Sequence, residues 1–190
     1  YSIELVVLDK KTVVIDCPTV VCEGQVATYT VRNDCDGEWQ VVGGTIINQD
    51  TDFIEVKWDA LQGDASFGFV SYRAFCGCDA WTTVKVPVIK DAFNIQSVSN
   101  FCVNGDKRFS LPQWPSTDYV WTLDDDPNHP NLVLTDQRNE VAVIGDGGIL
   151  KCTYTNTLTG CTGYQGNPSG LGVSSLTKDF YAPEFICQGE

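Results

Sequence analysis

The chain has 190 residues, no methionine and a single histidine. That histidine, His129, lies between Asn128 and Pro130 with no nucleophile motif nearby. No G-x-S-x-G elbow, H-E-x-x-H pair or phosphate-binding glycine loop occurs. No stretch approaches the roughly 18 consecutive apolar residues that a membrane-spanning helix needs. These absences argue against an enzyme and predict no membrane span in this part of the protein.

Positive charge is also scarce, since 12 Lys and Arg oppose 25 Asp and Glu and leave a net charge of −13. An acidic surface repels phosphate backbones, so we expect no nucleic-acid partner. Helical apolar periodicity is missing, whereas short runs of β-branched and aromatic residues recur between Gly, Asn, Asp and Pro. The sequence therefore predicts an all-β fold.

The sequence contains an internal repeat. Similar motifs surround Cys22 (VCEG), Cys102 (FCVNG) and Cys187 (FICQG), 80 and 85 residues apart. A fixed period of this length indicates an array of small all-β domains. We interpret the chain as a segment of a longer array. Its predicted parts are the last strand of an upstream repeat (1–10), two complete repeats (11–90 and 91–178) and the start of a further repeat (179–190).

Six or seven short strands per repeat predict tandem immunoglobulin-like β-sandwiches. In the first repeat we predict turns at 43–44 and 48–50, and in the second a long polar loop at 157–169 before a last strand at 170–176. A tryptophan on the third strand is the expected centre of each core. The residues predicted to face inward are Tyr29, Trp39, Trp58, Phe67, Phe69, Phe109 and Trp121.

Nine cysteines in so small a chain predict disulfides and an oxidising compartment, at the cell surface or outside the cell. Their spacing has no paired C-x-x-C pattern for zinc. Equivalent places in both repeats predict Cys22–Cys78 and Cys102–Cys161, although spacing alone does not determine connectivity. Cys35 and Cys76 are a possible second bridge, because their loops share one end of a sandwich. The remaining cysteines are Cys17, Cys152 (a buried thiol or a bridge) and Cys187.

An acidic turn is the weak candidate for a metal site. Asp124, Asp126 and Asn128 match the alternating oxygen ligands that begin a calcium loop, but His129 and Thr135 occupy the positions of its glycine and glutamate. We expect a solvated hairpin tip and no cofactor, with Ca²⁺ as the alternative.

Three aromatic residues outside the predicted core are weak candidates for ligand binding. Trp81, Trp114 and Tyr164 lie at strand edges or in loops. Exposed rings of this kind would contact a surface glycan or another surface protein. Trp114, beside Pro115, has a contact between repeats as its alternative role.

The strings VCEGQVATYTV, EWQVVGGTI, FIEVKWDA and GFVSYRAFCGC resemble the PKD-like, immunoglobulin-like repeats of very large surface proteins in Bacteroidota. The resemblance covers both complete repeats. The second departs from the pattern, with Val143 in place of Trp58 and an acidic turn in place of Gly43-Gly44. It implies a stalk of a cell-surface adhesin, including those of gliding motility, exported by the type IX secretion system.

The expected function is a structural stalk or filament segment that holds a distal adhesive region away from the cell, with neighbouring repeats of the same chain as its partners. One alternative is that the repeats themselves bind carbohydrate or a protein ligand. Another is that they are accessory β-domains of a secreted hydrolase. A eukaryotic immunoglobulin-type receptor is disfavoured, because the first cysteine precedes the second strand and no N-x-S/T sequon with an allowed middle residue occurs.

Overall fold

A computed structural model describes residues 13–32, 35–76, 80–97, 107–144 and 148–166. The chain divides into two units, Tyr1–Lys90 and Asp91–Glu190, at the same bond where the first predicted repeat ends. The predicted flanking segments 1–10 and 179–190 and the predicted strand 170–176 lie outside the described residues. All regular elements in the described part are β-strands, and no helix there is long and apolar enough to cross a membrane.

Eight strands are described in the first unit. They are β1 (Ile15–Asp16), β2 (Val21–Cys22), β3 (Val26–Val31), β4 (Gly37–Val42), β5 (Thr45–Gln49), β6 (Phe53–Lys57), β7 (Phe67–Ala74) and β8 (Trp81–Ile89). One sheet has the order β1-β3-β6-β5 and the other has the order β2-β8-β7-β4. All pairs are antiparallel except β2 with β8, which is parallel. This is the A-B-E-D and C-F-G strand order of an immunoglobulin-like sandwich, with β2 added beside the last strand.

Seven strands are described in the second unit. They are β9 (Gln96–Ser97), β10 (Lys107–Ser110), β11 (Thr117–Leu123), β12 (Leu132–Leu134), β13 (Glu140–Val143), β14 (Leu150–Asn156) and β15 (Thr162–Gly166). The sheets are β12-β13-β10-β9 and β11-β14-β15. Read in chain order, they give the same A-B-E-D and C-F-G arrangement. Each unit is therefore an immunoglobulin-like β-sandwich.

The core of the first unit is centred on Trp58, which follows β6 and is fully buried. Its indole Nε1 donates a hydrogen bond to the Tyr29 hydroxyl at 3.0 Å, so the one polar atom of the indole is satisfied inside the core. Side chains from both sheets surround it, including Ile54 of β6 and Val70 of β7. Trp39, the expected centre of this core, is only half-buried. It packs at the edge of the cluster.

The prediction that Phe67 and Phe69 face inward is wrong, because the alternation of β7 has the opposite phase. Gly68, Val70, Tyr72 and Ala74 are the buried residues of this strand, while Phe67 is exposed and Phe69 half-buried. A Cβ atom on Gly68 would lie 2.2 Å from the Trp58 ring. The large indole therefore requires glycine on the inner side, and the two phenylalanines face outward as a consequence.

Two predicted irregular segments are strands. The turn predicted at 48–50 is largely the end of β5, which pairs with β6 through a register shift between Ile46 and Asn48. The chain reverses later, where the Asp50 amide bonds to the Phe53 carbonyl. The loop predicted at 157–169 contains β15, which pairs with β14. Both strands are rich in polar residues because they lie at the edge of their sheets as described, where a strand has few apolar neighbours.

Candidate functional site

The disulfide between Cys35 and Cys76 closes one end of the first unit. Cys35 precedes β4 and Cys76 follows β7, two paired strands whose last register pair is Gly37 with Ala74. The Phe75 amide also donates to the Asp36 carbonyl at 2.8 Å. The bridge therefore extends the β4/β7 pair by a covalent link at the sheet end, where hydrogen-bonded pairs otherwise fray.

Cys22 and Cys161 are also half-cystines. Their predicted partners Cys78 and Cys102 lie outside the described residues, as does Cys187. Which sulfur each one bonds therefore stays a prediction.

The corresponding end of the second unit is closed by a side chain, that of Asn156, which is fully buried. Its Nδ2 donates to the Pro115 carbonyl at 2.6 Å and to Thr117 Oγ1 at 2.9 Å. Its Oδ1 accepts hydrogen bonds from the amides of Leu158 and Thr159 and from the Thr159 hydroxyl. Since every polar atom of this amide has a partner, its burial stabilises the end of the β11/β14 pair.

Cys17 and Cys152 are free thiols in the structure. Cys152 lies inside the second unit, and burial raises the pKa of its thiol to about 12. Cys17 is exposed, and its pKa is raised less, by partial burial and by the neighbouring Asp16. A thiolate is the reactive form of cysteine, so burial makes Cys152 inert.

The acidic turn follows β11 and leads to β12 in the other sheet, so the prediction of a hairpin tip is wrong and the turn connects the two sheets. Asp124 and Asp125 have left-handed backbone conformations, with φ of 52° and 64°. Asp124 Oδ1 accepts from the Ile149 amide, Asp126 Oδ1 from the Asn128 amide, and Asp125 pairs with Lys151 at 2.5 Å. The three carboxylates thus hold the turn together instead of converging on one point. Within the described residues, no group of three His, Cys, Asp or Glu is placed to hold a metal ion.

The three aromatic candidates lie in different surroundings. Trp81 at the start of β8 is 42% exposed and Tyr164 in β15 is 51% exposed. Trp114 is only 4% exposed, so its prediction as an exposed ring is wrong. It packs edge-on against Phe93 at 5.6 Å and in a tilted arrangement against Tyr154 at 5.1 Å. Trp114 therefore belongs to the buried part of the second unit.

The outer face of β7 and β8 in the first unit combines rings with cations. Lys85 Nζ lies 3.7 Å from the centre of the Phe67 ring, and the Arg73 guanidinium lies 5.2 Å from that of Trp81. Ser71 and Thr83 lie between these pairs and share a hydrogen bond of 2.8 Å. These contacts are cation–π interactions on an otherwise acidic chain.

Each unit also has a cleft, which lies between the beginning of β4 and the turn before β6 in the first unit and between the beginning of β11 and the turn before β13 in the second. In the first unit this cleft has a volume of about 480 Å³ and is lined by Gly37, Glu38, Trp39, Gln49, Asp50 and Thr51. The Trp39 indole donates to the Asp50 carbonyl at 3.2 Å, which ties the two walls together. Glu38 forms a salt bridge with Arg73.

The cleft of the second unit has a volume of about 560 Å³. Its walls are the loop Gln113–Thr117 with Tyr119 on one side and the turn Asp136–Asn139 on the other. The Trp121 indole donates to the Arg138 carbonyl at 3.2 Å, the same type of bond that Trp39 makes in the first unit. The sequence has no local signal for this cleft. Gln113, Gln137 and Asn139 resemble ordinary loop residues, and only the folded structure brings the two segments that carry them together.

No protein-family model matches the chain, and no curated protein matches it. Solved structures similar to it include the N-terminal Ig1-2 module of the Drosophila receptor protein tyrosine phosphatase DLAR. The two chains share 12% sequence identity, the match covers 82% of this chain and 95% of the DLAR module, and the TM-score is 0.31. Another is Dpr11 IG1 bound to DIP-gamma IG+IG2, with 9% identity over 82% of this chain and 96% of that chain and a TM-score of 0.30. At these values the likeness carries no argument about function, and the immunoglobulin-like fold stands on the strand order described above.

Proposed function

We propose that this chain is a structural stalk segment of a large, repetitive cell-surface adhesin, whose tandem immunoglobulin-like units hold a distal adhesive region away from the cell. The observation that carries the proposal is the short connection between the two sandwiches. Strand β8 ends at Ile89 and strand β9 begins at Gln96, so six residues join them. A connection this short has little of the slack of a flexible linker.

The disulfide supports a location outside the cell. Bridges such as Cys35–Cys76 persist in oxidising compartments and are rare in the cytosol. The net charge of −13 would limit association between neighbouring stalks by mutual repulsion. Both features suit a non-enzymatic role in which the units keep their shape at the cell surface.

In a stalk that is pulled along its length, the Cys35–Cys76 disulfide also limits how far the first unit can extend. Cys35 and Cys76 are separated by 41 positions, so the bridge keeps that part of the chain from being pulled straight. The length withheld from extension is about 140 Å, at roughly 3.4 Å per extended residue.

Single-molecule force spectroscopy on the 190-residue chain tests this proposal. Under oxidising conditions we expect two discrete unfolding events, one per unit. Adding dithiothreitol should lengthen the extension released by the first unit by at least about 140 Å. Unfolding without discrete force peaks, or an extension unchanged by the reductant, would contradict a mechanical role.

The resemblance to Bacteroidota repeats extends the proposal to surface adhesion or gliding motility and to export by the type IX secretion system. Inactivating that system in the source organism should remove the protein from the cell surface, as measured by surface proteolysis. Retention of the protein at the surface would exclude this route of export. An accessory role beside a secreted hydrolase instead requires that hydrolytic activity co-purify with the intact protein.

A second candidate function, binding of an acidic protein ligand, is favoured by the outer face of β7 and β8. Aromatic residues and arginine are the side chains most often dominant in protein interfaces. Lys85 would supply charge complementarity to an acidic partner, since the charge of Arg73 is already paired with Glu38. The test is surface plasmon resonance against acidic surface proteins of the same cell, with F67A/K85A as the variant and V133A on the second unit as the control. Equal binding by both variants would exclude this face.

A further inference from the structure

The cleft of the second unit has the size and rigidity of a small-molecule site. Its volume of about 560 Å³ lies within the usual range of ligand sites, roughly 300–1,000 Å³. The Tyr119 hydroxyl donates to the Pro112 carbonyl at 2.5 Å and accepts from the Trp114 amide at 3.1 Å. Together with the bond from Trp121 to the Arg138 carbonyl, these contacts fix both walls before any ligand arrives, which lowers the entropic cost of binding.

One buried acceptor in this cleft has no partner. Asn139 is 7% exposed, and its Nδ2 donates to the Leu111 carbonyl at 2.7 Å. That bond determines the orientation of the amide and leaves Oδ1 without a hydrogen bond. Buried polar atoms are nearly always satisfied, so an unpaired one in a native structure calls for an explanation. The donor that fits a lone amide oxygen beside a cleft is a hydroxyl group, of a ligand or of water.

The charges around the cleft point to a neutral ligand. Asp136 and Arg138 both line it and carry opposite charges, and Arg138 also bonds Asp118 at 3.1 Å. The cleft thus has no excess of either sign with which to attract an ion, although the chain as a whole is strongly acidic. An anionic ligand would approach against the general negative field.

The remaining lining groups suit a polyhydroxylated ligand. Gln113 and Gln137 are exposed amides, each with one acceptor oxygen and one donor nitrogen close together, a pattern that matches adjacent hydroxyl groups. The half-buried Tyr119 adds aromatic surface against which the apolar C–H side of a sugar can pack. We propose that the second-unit cleft binds a neutral saccharide. Its polar contacts are the side chains of Gln113 and Gln137 and the side-chain Oδ1 of Asn139.

The first-unit cleft provides a matched control. It occupies the same place in the fold but carries two acidic side chains, Glu38 and Asp50, and has no buried acceptor lacking a partner among its lining residues. Gln49 is its exposed amide and corresponds in type to Gln137. The proposal therefore predicts saccharide binding at one cleft and not at the other.

The test is an NMR titration of the isotopically labelled 190-residue chain with neutral gluco-, galacto- and manno-oligosaccharides, and with sulfated and uronic-acid oligosaccharides in parallel. At about 10 mM, a site with a dissociation constant near 1 mM is mostly filled. We expect a neutral oligosaccharide to shift the side-chain amide signals of Gln113, Gln137 and Asn139. Q113A and Q137A should each weaken binding about 2–10-fold, the effect of losing one hydrogen bond, and Q49A should leave it unchanged.

Three results would overturn the proposal. They are no shift with any neutral oligosaccharide, binding of the charged oligosaccharides only, and binding unaffected by both Q113A and Q137A. Both glutamines are exposed, so their variants should remain folded, and the dispersion of the NMR spectrum reports this directly. The outcome is independent of the mechanical role, which is read from force and reductant dependence.

Discussion

The two units close the same end of the same strand pair by different chemistry. In the first, Cys35 and Cys76 form a covalent bond beyond the last register pair of β4 and β7. In the second, Asn156, the last residue of β14, joins the loop before β11 to the turn after β14 through hydrogen bonds. A disulfide acts largely by restricting the unfolded chain, whereas the Asn156 bonds exist only when the native geometry is complete. The Cys35–Cys76 closure thus depends on redox conditions, whereas the Asn156 bonds depend on packing next to Cys161, which is itself a half-cystine.

The clefts beside these closures differ in a related way. In the first unit, the Tyr72 hydroxyl donates to the carbonyls of Cys35 and Thr51, beside the cleft wall. In the second, Asn139 keeps one acceptor without a partner. The shared fold therefore gives one cleft whose lining residues include no buried acceptor without a partner and another with one such acceptor, which is where we propose a ligand binds.

The largest expected effect comes from removing the covalent closure. In C35S/C76S, the first unit should lose about 2–4 kcal/mol of unfolding free energy, because its unfolded chain gains freedom. The second unit should be unchanged. Native-state hydrogen exchange followed by peptide mass spectrometry reads the two units separately in the intact chain. An equal loss of protection in both units would show that they do not unfold independently.

The next largest effect is expected from N156A, which should destabilise the second unit by about 1–3 kcal/mol, since it removes the acceptor of the Leu158 and Thr159 amides and the donor to the Pro115 carbonyl. The same hydrogen-exchange experiment measures it. N156D is the matched control, because its carboxylate still accepts from Leu158 and Thr159 but cannot donate to Pro115. A loss below about 0.5 kcal/mol in N156A would argue that the network adds little.

A smaller effect should appear at alkaline pH. Burial raises the pKa of Tyr119 to about 12 and also raises that of Tyr29 in the first unit. The unfolded tyrosine loses its proton near pH 10, so stability present below pH 10 should decline as the pH rises toward 12. Circular dichroism melts between about pH 9 and 12 should show this decline. In Y119F, the decline of stability with pH should be smaller in the second unit only. A pH profile identical to that of the unmodified protein would exclude Tyr119 as the cause.

The smallest expected effect is a difference in thiol labelling between Cys17 and Cys152. Iodoacetamide should modify Cys17 in the native protein and Cys152 only after unfolding in urea, because Cys152 is buried and its pKa is raised. Peptide mass spectrometry distinguishes the two sites. Native labelling of Cys152 at the rate of Cys17 would mean that the second unit opens readily, and would weaken the role given to Asn156.

Local sequence patterns predicted much of this fold but few residues of the candidate sites. Alternation and turn residues predict strands at 25–31, 67–75 and 118–123, each within about one residue of β3, β7 and β11. The loops that carry Cys35 and Cys76 could also be assigned to one end of a sandwich. The phase of β7 could not be predicted, since Phe67 and Gly68 are both plausible inward residues until Trp58 occupies the space. Asn139 and Asn156 resemble turn residues in the sequence, and no local feature distinguishes one that will be buried.

By itself, the sequence determined that this protein is all-β, repeated, acidic and rich in cysteine, because alternation, period and composition are properties of the chain as written. Only the tertiary structure decided which aromatic residues are enclosed, which end is closed by sulfur and which by an amide, and where an acceptor is left without a donor. Those outcomes depend on distances between residues far apart in the chain. Trp58 with Gly68, Thr117 with Asn156 and Leu111 with Asn139 become neighbours only when the sheets pack.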